Sequence, residues 1–320
     1  MITEKLKREA SLHVIPARDD RTLTMPPACR ERFRQDDAVK SLTTNDAILS
    51  LHREIQSIID PKDEISSHIR ERVARQGYAI VSGFPVDESK PDTPLTKVLD
   101  VPTGNSITEK ALIYLSSLFG TPHAYEQENS GRYIHNLYPV KGDETIASGT
   151  GSEVDLEFHT EIAFDDNKPD YLLLTAVRSR AEQNVPTTLV NVPDVLAQLS
   201  EEEINLLQEK IYFVRAPYSF SGGDDIYYRR SLADFSNGRS YCFNFNRGVV
   251  HCGTPEAKAL FEKLRGLFNE YASEALLSPG SALIIDNNQM LHGRSLFKPV
   301  FDGKDRWLQR LYVKKNQEAV

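Results

Sequence analysis

The sequence predicts a mainly β fold, a β-sandwich or jelly roll, with helices packed against it as buttresses. From Arg132 onward, short segments rich in β-branched, aromatic and aliphatic residues follow one another. The first third of the chain instead has the apolar spacing of amphipathic helices. No internal repeat is visible, which argues against a solenoid or a propeller. A helical layer followed by many short strands is typical of a sheet-based fold with helical support.

The composition is that of an ordinary globular protein. The chain has 320 residues, of which 40% are hydrophobic and 26% charged, and its net charge is −8. Because the acidic excess is scattered, a nucleic-acid-binding face is not expected. No apolar run approaches the about 20 residues of a membrane span, and the first residues lack the apolar core of a secretory signal. We therefore expect neither a nucleic-acid partner nor a membrane span.

The cysteines indicate a reducing compartment. Cys29, Cys242 and Cys252 are an odd number and have no close CxxC spacing. Such usage fits the cytoplasm better than a disulfide framework. Cys252 lies beside His251 and could be a reactive thiol or a metal ligand, but without a second thiol an incidental cysteine is the simpler interpretation.

The N-terminal part, residues 1–75, is predicted to be a helical support for a jelly-roll core over residues 76–320, the two forming one integrated domain. Thr44 is a capping residue before an apolar helical pattern that Pro61 ends. A second amphipathic stretch covers residues 65–76. These two helices would precede the first strand of the core.

The core is predicted to alternate strands with a few helices. Residues 77–85 alternate and end in turn residues, which indicates a strand, and residues 86–105 are typical of a loop. Further strands are predicted over residues 133–137, 171–177, 187–192, 282–285 and 306–313, and helices over residues 107–119, 204–210 and 255–274.

A polar, aromatic and glycine-containing stretch lies at about residues 215–240. Long loops in compact domains are often lids or binding loops. We interpret this stretch as a lid loop, and the alternative is a solvated surface loop.

Two histidines and one glutamate suggest a metal site. His159 and Glu161 stand two residues apart, and His292 follows much later in the chain. Two imidazoles and one carboxylate form the facial triad that holds Fe(II) and leaves positions open for substrates and oxygen. Residues i and i+2 of a strand point to the same side, so His159 and Glu161 could reach one metal together. His292 would then come from a strand that is adjacent in space.

Zinc competes with iron for such a ligand set, because two histidines and a glutamate also form catalytic zinc sites. Zinc hydrolases of that kind usually carry HExxH on a helix, and this chain lacks it. A lone HxE triplet is a weak pattern, so the interpretation depends on the distant elements. The histidines without a comparable arrangement, which are not expected to bind metal, are His13, His52, His68, His123, His135 and His251.

Two arginines follow the second histidine. Arg306 and Arg310 lie in a strand-like segment whose alternation puts them on one face. Two inward-facing cations are costly unless anions meet them. The far carboxylate of a 2-oxo diacid and the carboxylate of a substrate would supply that compensation.

These spaced elements resemble the clavaminate synthase-like branch of the Fe(II)/2-oxoglutarate-dependent oxygenases. That branch includes clavaminate synthase, asparagine oxygenase and the arginine hydroxylase of viomycin biosynthesis, an antibiotic pathway. The resemblance covers most of residues 75–315. It rests on the segments LEFHTEIAF at 156–164 and PDYLLL at 169–174, and on Thr187, His292, Arg306 and Arg310. It implies a double-stranded β-helix, or jelly roll.

The resemblance also implies the cofactors and their residues. His159, Glu161 and His292 would bind Fe(II). Arg306 would bind the distal carboxylate of the cosubstrate 2-oxoglutarate, and Thr187 would add a hydroxyl hydrogen bond. Oxygen is the second cosubstrate of such enzymes.

For the substrate, the resemblance implies a free amino acid. Arg310 is similar to the family arginine that binds the substrate's α-carboxylate. Gln127 falls near the family glutamine that contacts the α-amino group, and Glu161 would share that amine through its second oxygen. The alternative for Gln127 is a plain loop residue.

One position departs from the family pattern. Relatives that act on arginine-like or asparagine side chains carry an aspartate where this chain has Asn246. A neutral amide cannot neutralise a guanidinium, so arginine is disfavoured unless Asp224 or Asp225 substitutes. Asn244 shares the strand face with Asn246, and together they predict a polar substrate pocket. The alternative is that both asparagines are structural.

The expected function is hydroxylation of an unactivated C–H bond, at the β- or γ-carbon, of a free L-amino acid or a close derivative. The alternative is a tailoring oxygenase that performs hydroxylation, desaturation or cyclisation on a larger carrier-bound or natural-product intermediate. A third possibility is a non-catalytic metal-binding jelly roll.

Overall fold

Two β-sheets form the centre of the computed structural model, which describes residues 22–25, 42, 44–60, 63–99, 106–180, 182–183, 185–235, 240–241 and 250–316. The strands are β1 (Thr22–Thr24), β2 (Tyr78–Ser82), β3 (Thr121–His123), β4 (Ile134–Leu137), β5 (Leu156–His159), β6 (Tyr171–Arg178), β7 (Thr187–Asn191), β8 (Tyr212–Arg215), β9 (Tyr227–Arg230), β10 (Ala233–Asp234), β11 (Ser240–Tyr241), β12 (Val250–Cys252), β13 (Ser273–Ala275), β14 (Ser281–Asp286), β15 (Met290–Arg294) and β16 (Trp307–Lys314). The helices are α1 (Asn45–Ile58), α2 (Glu64–Gln76), α3 (Ile107–Ser117), α4 (Val192–Leu196), α5 (Glu201–Gln208), α6 (Tyr218–Ser221) and α7 (Pro255–Glu270).

The major sheet has the strand order β1-β2-β14-β6-β16-β3, and β4 also pairs with β16. All its pairs are antiparallel except that of β1 with β2. The minor sheet has the order β13-β7-β15-β5 and is antiparallel. The metal and arginine motifs are thereby divided, because the histidines belong to the minor sheet and Arg310 to the major sheet.

The central strand β6 is buried on both faces, which explains its continuous apolar sequence. Leu172 and Leu174 point into the cluster that also contains Leu291 of the minor sheet. Leu173, between them, points into a second cluster with side chains of the N-terminal helices, among them Ile69 and Leu112. Alternate side chains of β6 therefore pack into two different cores. One core lies between the two sheets, and the other lies between the major sheet and the helices.

Capping residues mark the start of α1 and the end of α2. The Thr44 side chain accepts a hydrogen bond from the backbone of Ala47 at the start of α1. Helix α2 ends at Gly77, whose φ of 81° lies in the left-handed region. In the described part of residues 1–75, α1 and most of α2 are helical. Among the described helices, none combines the length and the apolarity that crossing a membrane requires.

Several predicted boundaries are wrong, among them the start and end of α5, which runs over Glu201–Gln208 and not 204–210. The helix predicted over residues 255–274 ends at Glu270, and Ser273–Ala275 forms strand β13 against β7. The stretch 215–240 is not a continuous loop, because its described part contains α6, β9 and β10. Strand β9 escaped prediction because most of its side chains are exposed, so no apolar alternation marks it.

Candidate active site

A cavity of about 580 Å³ is lined by residues of both sheets and by the segment that follows β8. Its walls include His159 and His292 from the minor sheet and Arg310 from the major sheet. Arg306, which immediately precedes β16, and Thr187, which begins β7, line the same cavity. Its size is within the usual range of small-molecule sites. The predicted metal ligands, both arginines and Thr187 therefore meet at one place.

The two histidines and Glu161 converge on one point. His159 ends β5 and lies directly opposite His292 of β15, so that their ring centroids are 4.2 Å apart. The Oε1 atom of Glu161 is 3.3 Å from Nε2 of His292. One potential ligand atom from each of the three residues lies within 4.8 Å of the others, and no other such group occurs in the described part of the chain.

Glu161 reaches this point from a turn, so the strand geometry predicted for it is wrong. Strand β5 ends at His159. The backbone N–H of Glu161 donates to Oδ1 of Asn287 at 3.0 Å, and Nδ2 of Asn287 donates to the Glu161 carbonyl at 3.2 Å. Ile162 follows with a φ of 55°. The buried amide of Asn287 thus positions the carboxylate that simple alternation was expected to position.

The protonation states suit a metal ligand set. Nδ1 of His159 donates to the Glu157 carbonyl at 2.8 Å, which leaves Nε2 for the site. Burial, assisted by the neighbouring His292, lowers the pKa of His159 to about 4, so the imidazole is neutral near pH 7. Burial acts to raise the pKa of Glu161, but the Arg310 guanidinium and the histidines outweigh it and hold that pKa well below its ordinary value. Neutral imidazoles and an ionised carboxylate are the forms that bind metal ions.

Tyr312 is a site residue that the sequence analysis missed. Its buried hydroxyl donates to Oε2 of Glu161 at 2.7 Å. Oε2 is therefore engaged, whereas Oε1 faces His292. The sequence signal that could have found Tyr312 is its position two residues after Arg310, since alternation places both side chains on one face of β16.

Arg306 is a cation that lines the cavity. No carboxylate in the described part of the chain pairs with it, and burial together with the neighbouring Arg294 lowers the pKa of Arg306 to about 9. Thr187, which is only 4% exposed, lines the same cavity. A desolvated guanidinium of this kind is suited to an anionic ligand, and a carboxylate can bind it with two hydrogen bonds.

Arg294 was also missed, although it stands two residues after His292. Its guanidinium donates to the carbonyls of Gly151 at 2.6 Å and Val154 at 3.0 Å. These bonds join strand β15 to the segment before β5, whose residues 146–149 line the cavity. Burial lowers the pKa of Arg294 to about 10. Arg294 therefore holds a cavity wall in place.

Arg310 is surrounded by acceptors. Its Nη2 donates to Oε1 of Glu128 at 2.7 Å and to Nδ1 of His135 at 2.7 Å. Its Nη1 is 3.5 Å from Oε1 of Glu161, and its guanidinium carbon lies 4.2 Å from the centroid of the Tyr312 ring. Burial acts to lower the pKa of Arg310, but Glu128, Tyr312 and Glu161 raise it above its ordinary value. Arg310 is therefore always charged.

Gln127 does not take the position predicted for it. It is exposed and does not line the cavity, whereas the next residue, Glu128, does. Two consecutive residues with positive φ, Asn129 and Ser130, follow Glu128 and set the direction of this turn. Such backbone geometry is not visible in residue spacing.

Asp224 and Asp225 are exposed, and Asp225 pairs with Arg215 at 3.3 Å.

The remaining predicted substrate residues, Asn244 and Asn246, lie outside the described residues. Their proposed polar pocket stays a prediction.

The arrangement of ligands and arginines agrees with an independent family match. The model of the taurine catabolism dioxygenase TauD, TfdA family matches residues 52–312. The chain belongs to the TauD/TfdA dioxygenase family. It is therefore an oxygenase.

Relatives of this TauD/TfdA protein are named as a beta-hydroxylase, an oxygenase and a synthase. Enduracididine beta-hydroxylase of Streptomyces hygroscopicus is 30% identical over 295 residues, which cover 80% of this chain and 85% of the relative. L-asparagine oxygenase of Streptomyces coelicolor is 30% identical over 240 residues, 74% of this chain and 71% of the relative. Clavaminate synthase 2 of Streptomyces clavuligerus is 29% identical over 251 residues, 77% of this chain and 76% of the relative. The resemblance to the clavaminate synthase-like branch is confirmed.

Solved structures confirm the predicted jelly roll. The crystal structure of asparagine oxygenase with Fe(II), 3-hydroxyasparagine and succinate has a TM-score of 0.81 at 24% identity and covers 92% of this chain and 93% of that one. The non-heme iron oxygenase OrfP in complex with Fe and alpha-ketoglutaric acid has a TM-score of 0.77 at 25% identity, with coverages of 92% and 94%.

Proposed function

We propose that this protein is a non-haem Fe(II)/2-oxoglutarate-dependent dioxygenase that hydroxylates an unactivated C–H bond of a free L-amino acid or a close derivative. The observation that carries the proposal is the charge arrangement of the cavity. It combines the His159, Glu161 and His292 ligand set with Arg306, which pairs with no carboxylate of the described residues, and with Arg310 and Glu128, which form a pair of opposite charges. A 2-oxo diacid and a zwitterion complement these groups.

The proposed cofactor residues are those that would hold iron and 2-oxoglutarate. His159, Glu161 and His292 would bind the metal, and Arg306 with Thr187 would bind the distal carboxylate. When bound, iron and 2-oxoglutarate activate oxygen and supply the oxidising power for C–H cleavage. Glu161 is kept ionised, and His159 neutral, by the contacts already described, so neither ligand needs to lose a proton to bind at neutral pH.

Arg310 and Glu128 would recognise the two charged groups of the amino acid. The substrate carboxylate would take the place that Glu128 now has on Arg310. The second oxygen of Glu128, Oε2, is buried and accepts no hydrogen bond from the described residues, so it is available to the substrate's ammonium group. Glu128 thereby replaces Gln127 as our proposed amine-binding residue.

The rest of the cavity would orient the reacting carbon and exclude water. Its apolar wall residues include Leu137, Leu156, Phe164, Phe220 and Leu308. Holding both ends of the α-amino acid fixes the direction of its side chain, so the carbon next to the α-carbon, or the one after it, would face the metal. Relatives named for enduracididine, asparagine and lysine support a free amino acid as the substrate. The cysteine usage supports a cytoplasmic location.

The decisive experiment measures succinate formed from 2-oxoglutarate by the iron-loaded protein, with each proteinogenic amino acid and with citrulline and ornithine. One amino acid that stimulates succinate formation and gains one oxygen by mass spectrometry is the expected result. Succinate that no amino acid stimulates, but that His159→Ala abolishes, would favour a larger substrate. Iron binding without any succinate would contradict the proposal.

A further inference from the structure

His135 contacts Arg310, one of the residues that line the cavity. It belongs to β4, is only 5% exposed, and is paired directly with Arg310 of β16. Its Nε2 is 2.8 Å from the Arg132 carbonyl, which can only accept, so Nε2 carries the proton. Nδ1 then has a free lone pair and accepts from Nη2 of Arg310 at 2.7 Å. The two contacts together require one tautomer of a neutral imidazole.

The charges around His135 agree with this tautomer. Burial and the Arg310 guanidinium lower the pKa of His135 to about 3, against smaller opposing effects that include Glu161, and Lys97 lowers it further. A protonated ring would place a second cation against Arg310. Glu128, which faces the same guanidinium, bonds to Arg310 and not to the ring. His135 is therefore a permanent hydrogen-bond acceptor at neutral pH.

The Nη2 nitrogen of Arg310 has two hydrogens, and both are used. One points to His135 and the other to Glu128. His135 is anchored by the strand pairing and by the Arg132 carbonyl, whereas Glu128 lies in a turn. An incoming carboxylate can therefore displace Glu128 but leaves the bond to His135 intact. The Tyr312 ring packs against the face of the Arg310 guanidinium and so restricts its movement in that direction.

We propose that His135 is a positioning residue for amino-acid recognition: by accepting one Nη2 hydrogen, it turns the edge of Arg310 that Glu128 occupies toward the substrate carboxylate. The inference rests on the proposed function, because it requires that Arg310 bind that carboxylate. It assigns to a histidine outside the metal set a role in substrate affinity and none in iron or 2-oxoglutarate binding.

The test compares His135→Phe, which keeps a planar ring but loses the acceptor, with His135→Asn, whose Oδ1 can replace Nδ1. We expect His135→Phe to raise the KM for the stimulating amino acid by about tenfold or more, as loss of a hydrogen bond to a charged group would. The KM for 2-oxoglutarate and kcat at saturating amino acid should stay unchanged. His135→Asn should restore most of the amino-acid affinity.

Arg310→Gln is measured in parallel to separate the binding of the substrate carboxylate by Arg310 from the positioning of Arg310 by His135. An increased KM in Arg310→Gln, with a normal KM in His135→Phe or no rescue by His135→Asn, would overturn the positioning role and leave the substrate site standing. An unchanged KM in Arg310→Gln would overturn both.

Nitrogen-15 NMR of the wild-type protein gives a readout without catalysis. A neutral His135 ring protonated at Nε2 at pH 6 is expected, and a charged ring or an Nδ1-protonated ring would contradict the proposal even if His135→Phe failed to fold.

Discussion

Single atoms of Glu161 have different partners, and this division is the central feature at the residue scale. Oε1 faces His292 and Arg310, at 3.3 Å and 3.5 Å, whereas Oε2 accepts from the Tyr312 hydroxyl. A carboxylate held in this way presents one oxygen to a metal. Groups that orient a ligand in this manner commonly change metal affinity when they are removed.

Tyr312→Phe should therefore weaken metal binding without unfolding the protein. We expect the dissociation constant for Co(II), used as an oxygen-stable probe for Fe(II), to rise by about 10- to 100-fold in an anaerobic spectroscopic titration. Tyr125→Phe is the matched control, because its hydroxyl donates to the Asn167 carbonyl and its ring lies against Tyr312, at 6.2 Å between centroids. Equal cobalt affinity in the two variants would rule out the role of Tyr312.

At the scale of elements, the turns carry much of the site. Asn287, in the turn between β14 and β15, bonds to the backbone of Glu161 in the turn after β5 and also to the Pro169 carbonyl. The amide thus joins three segments that are far apart in sequence. Because buried polar groups require partners, this arrangement fixes the direction in which Glu161 leaves β5.

Gly77 links the helical layer to the strand that carries His292. A Cβ at this position would lie 2.5 Å from Sδ of Met290, and the φ of +81° is itself unfavourable for other residues. We expect Gly77→Ala to lower the free energy of unfolding by more than the about 1–2 kcal/mol that a left-handed conformation alone costs. Urea denaturation would measure the loss.

Gly142→Ala is the control for Gly77→Ala, because Gly142 also has a positive φ, +100°, but its Cβ would have no neighbour within 4 Å. The difference between the two variants isolates the contact with Met290. Equal losses of stability would mean that Met290 moves away at no cost.

At the scale of the whole molecule, buried neutral histidines make the stability of the metal-free protein depend on pH. Burial lowers the pKa of His135 to about 3 and that of His159 to about 4, whereas their ordinary value is 6.5. The unfolded chain therefore binds more protons than the folded one between about pH 6.5 and pH 4. Where the unfolded state binds more protons than the folded state, the free energy of unfolding rises with pH.

We expect the metal-free protein to lose stability as the pH falls from 7.5 to 5.0, because the unfolded state gains protons that the folded state cannot accept. Urea denaturation at the two pH values measures the change. In His135→Phe the loss should be smaller, since one of the histidines with a lowered pKa no longer titrates on unfolding. A wild-type protein with the same stability at both pH values would contradict the assignment of neutral buried rings.

The sequence by itself determined the mainly β fold with its helical layer, the identity of the candidate metal ligands and the common face of Arg306 and Arg310. These properties follow from local periodicity, capping patterns and side-chain chemistry, which each segment carries independently of its neighbours.

Only the tertiary structure decided which side chains face the cavity from turns and across strands. Glu128 faces it in place of Gln127 because two residues with positive φ direct that turn, and Glu161 reaches it because Asn287 holds its backbone. His135 gains its partner Arg310 through strand pairing, whereas the Tyr312 hydroxyl reaches Glu161 in the turn after β5. Such contacts join residues distant in sequence, so their geometry depends on the packing of the whole chain and not on any one segment.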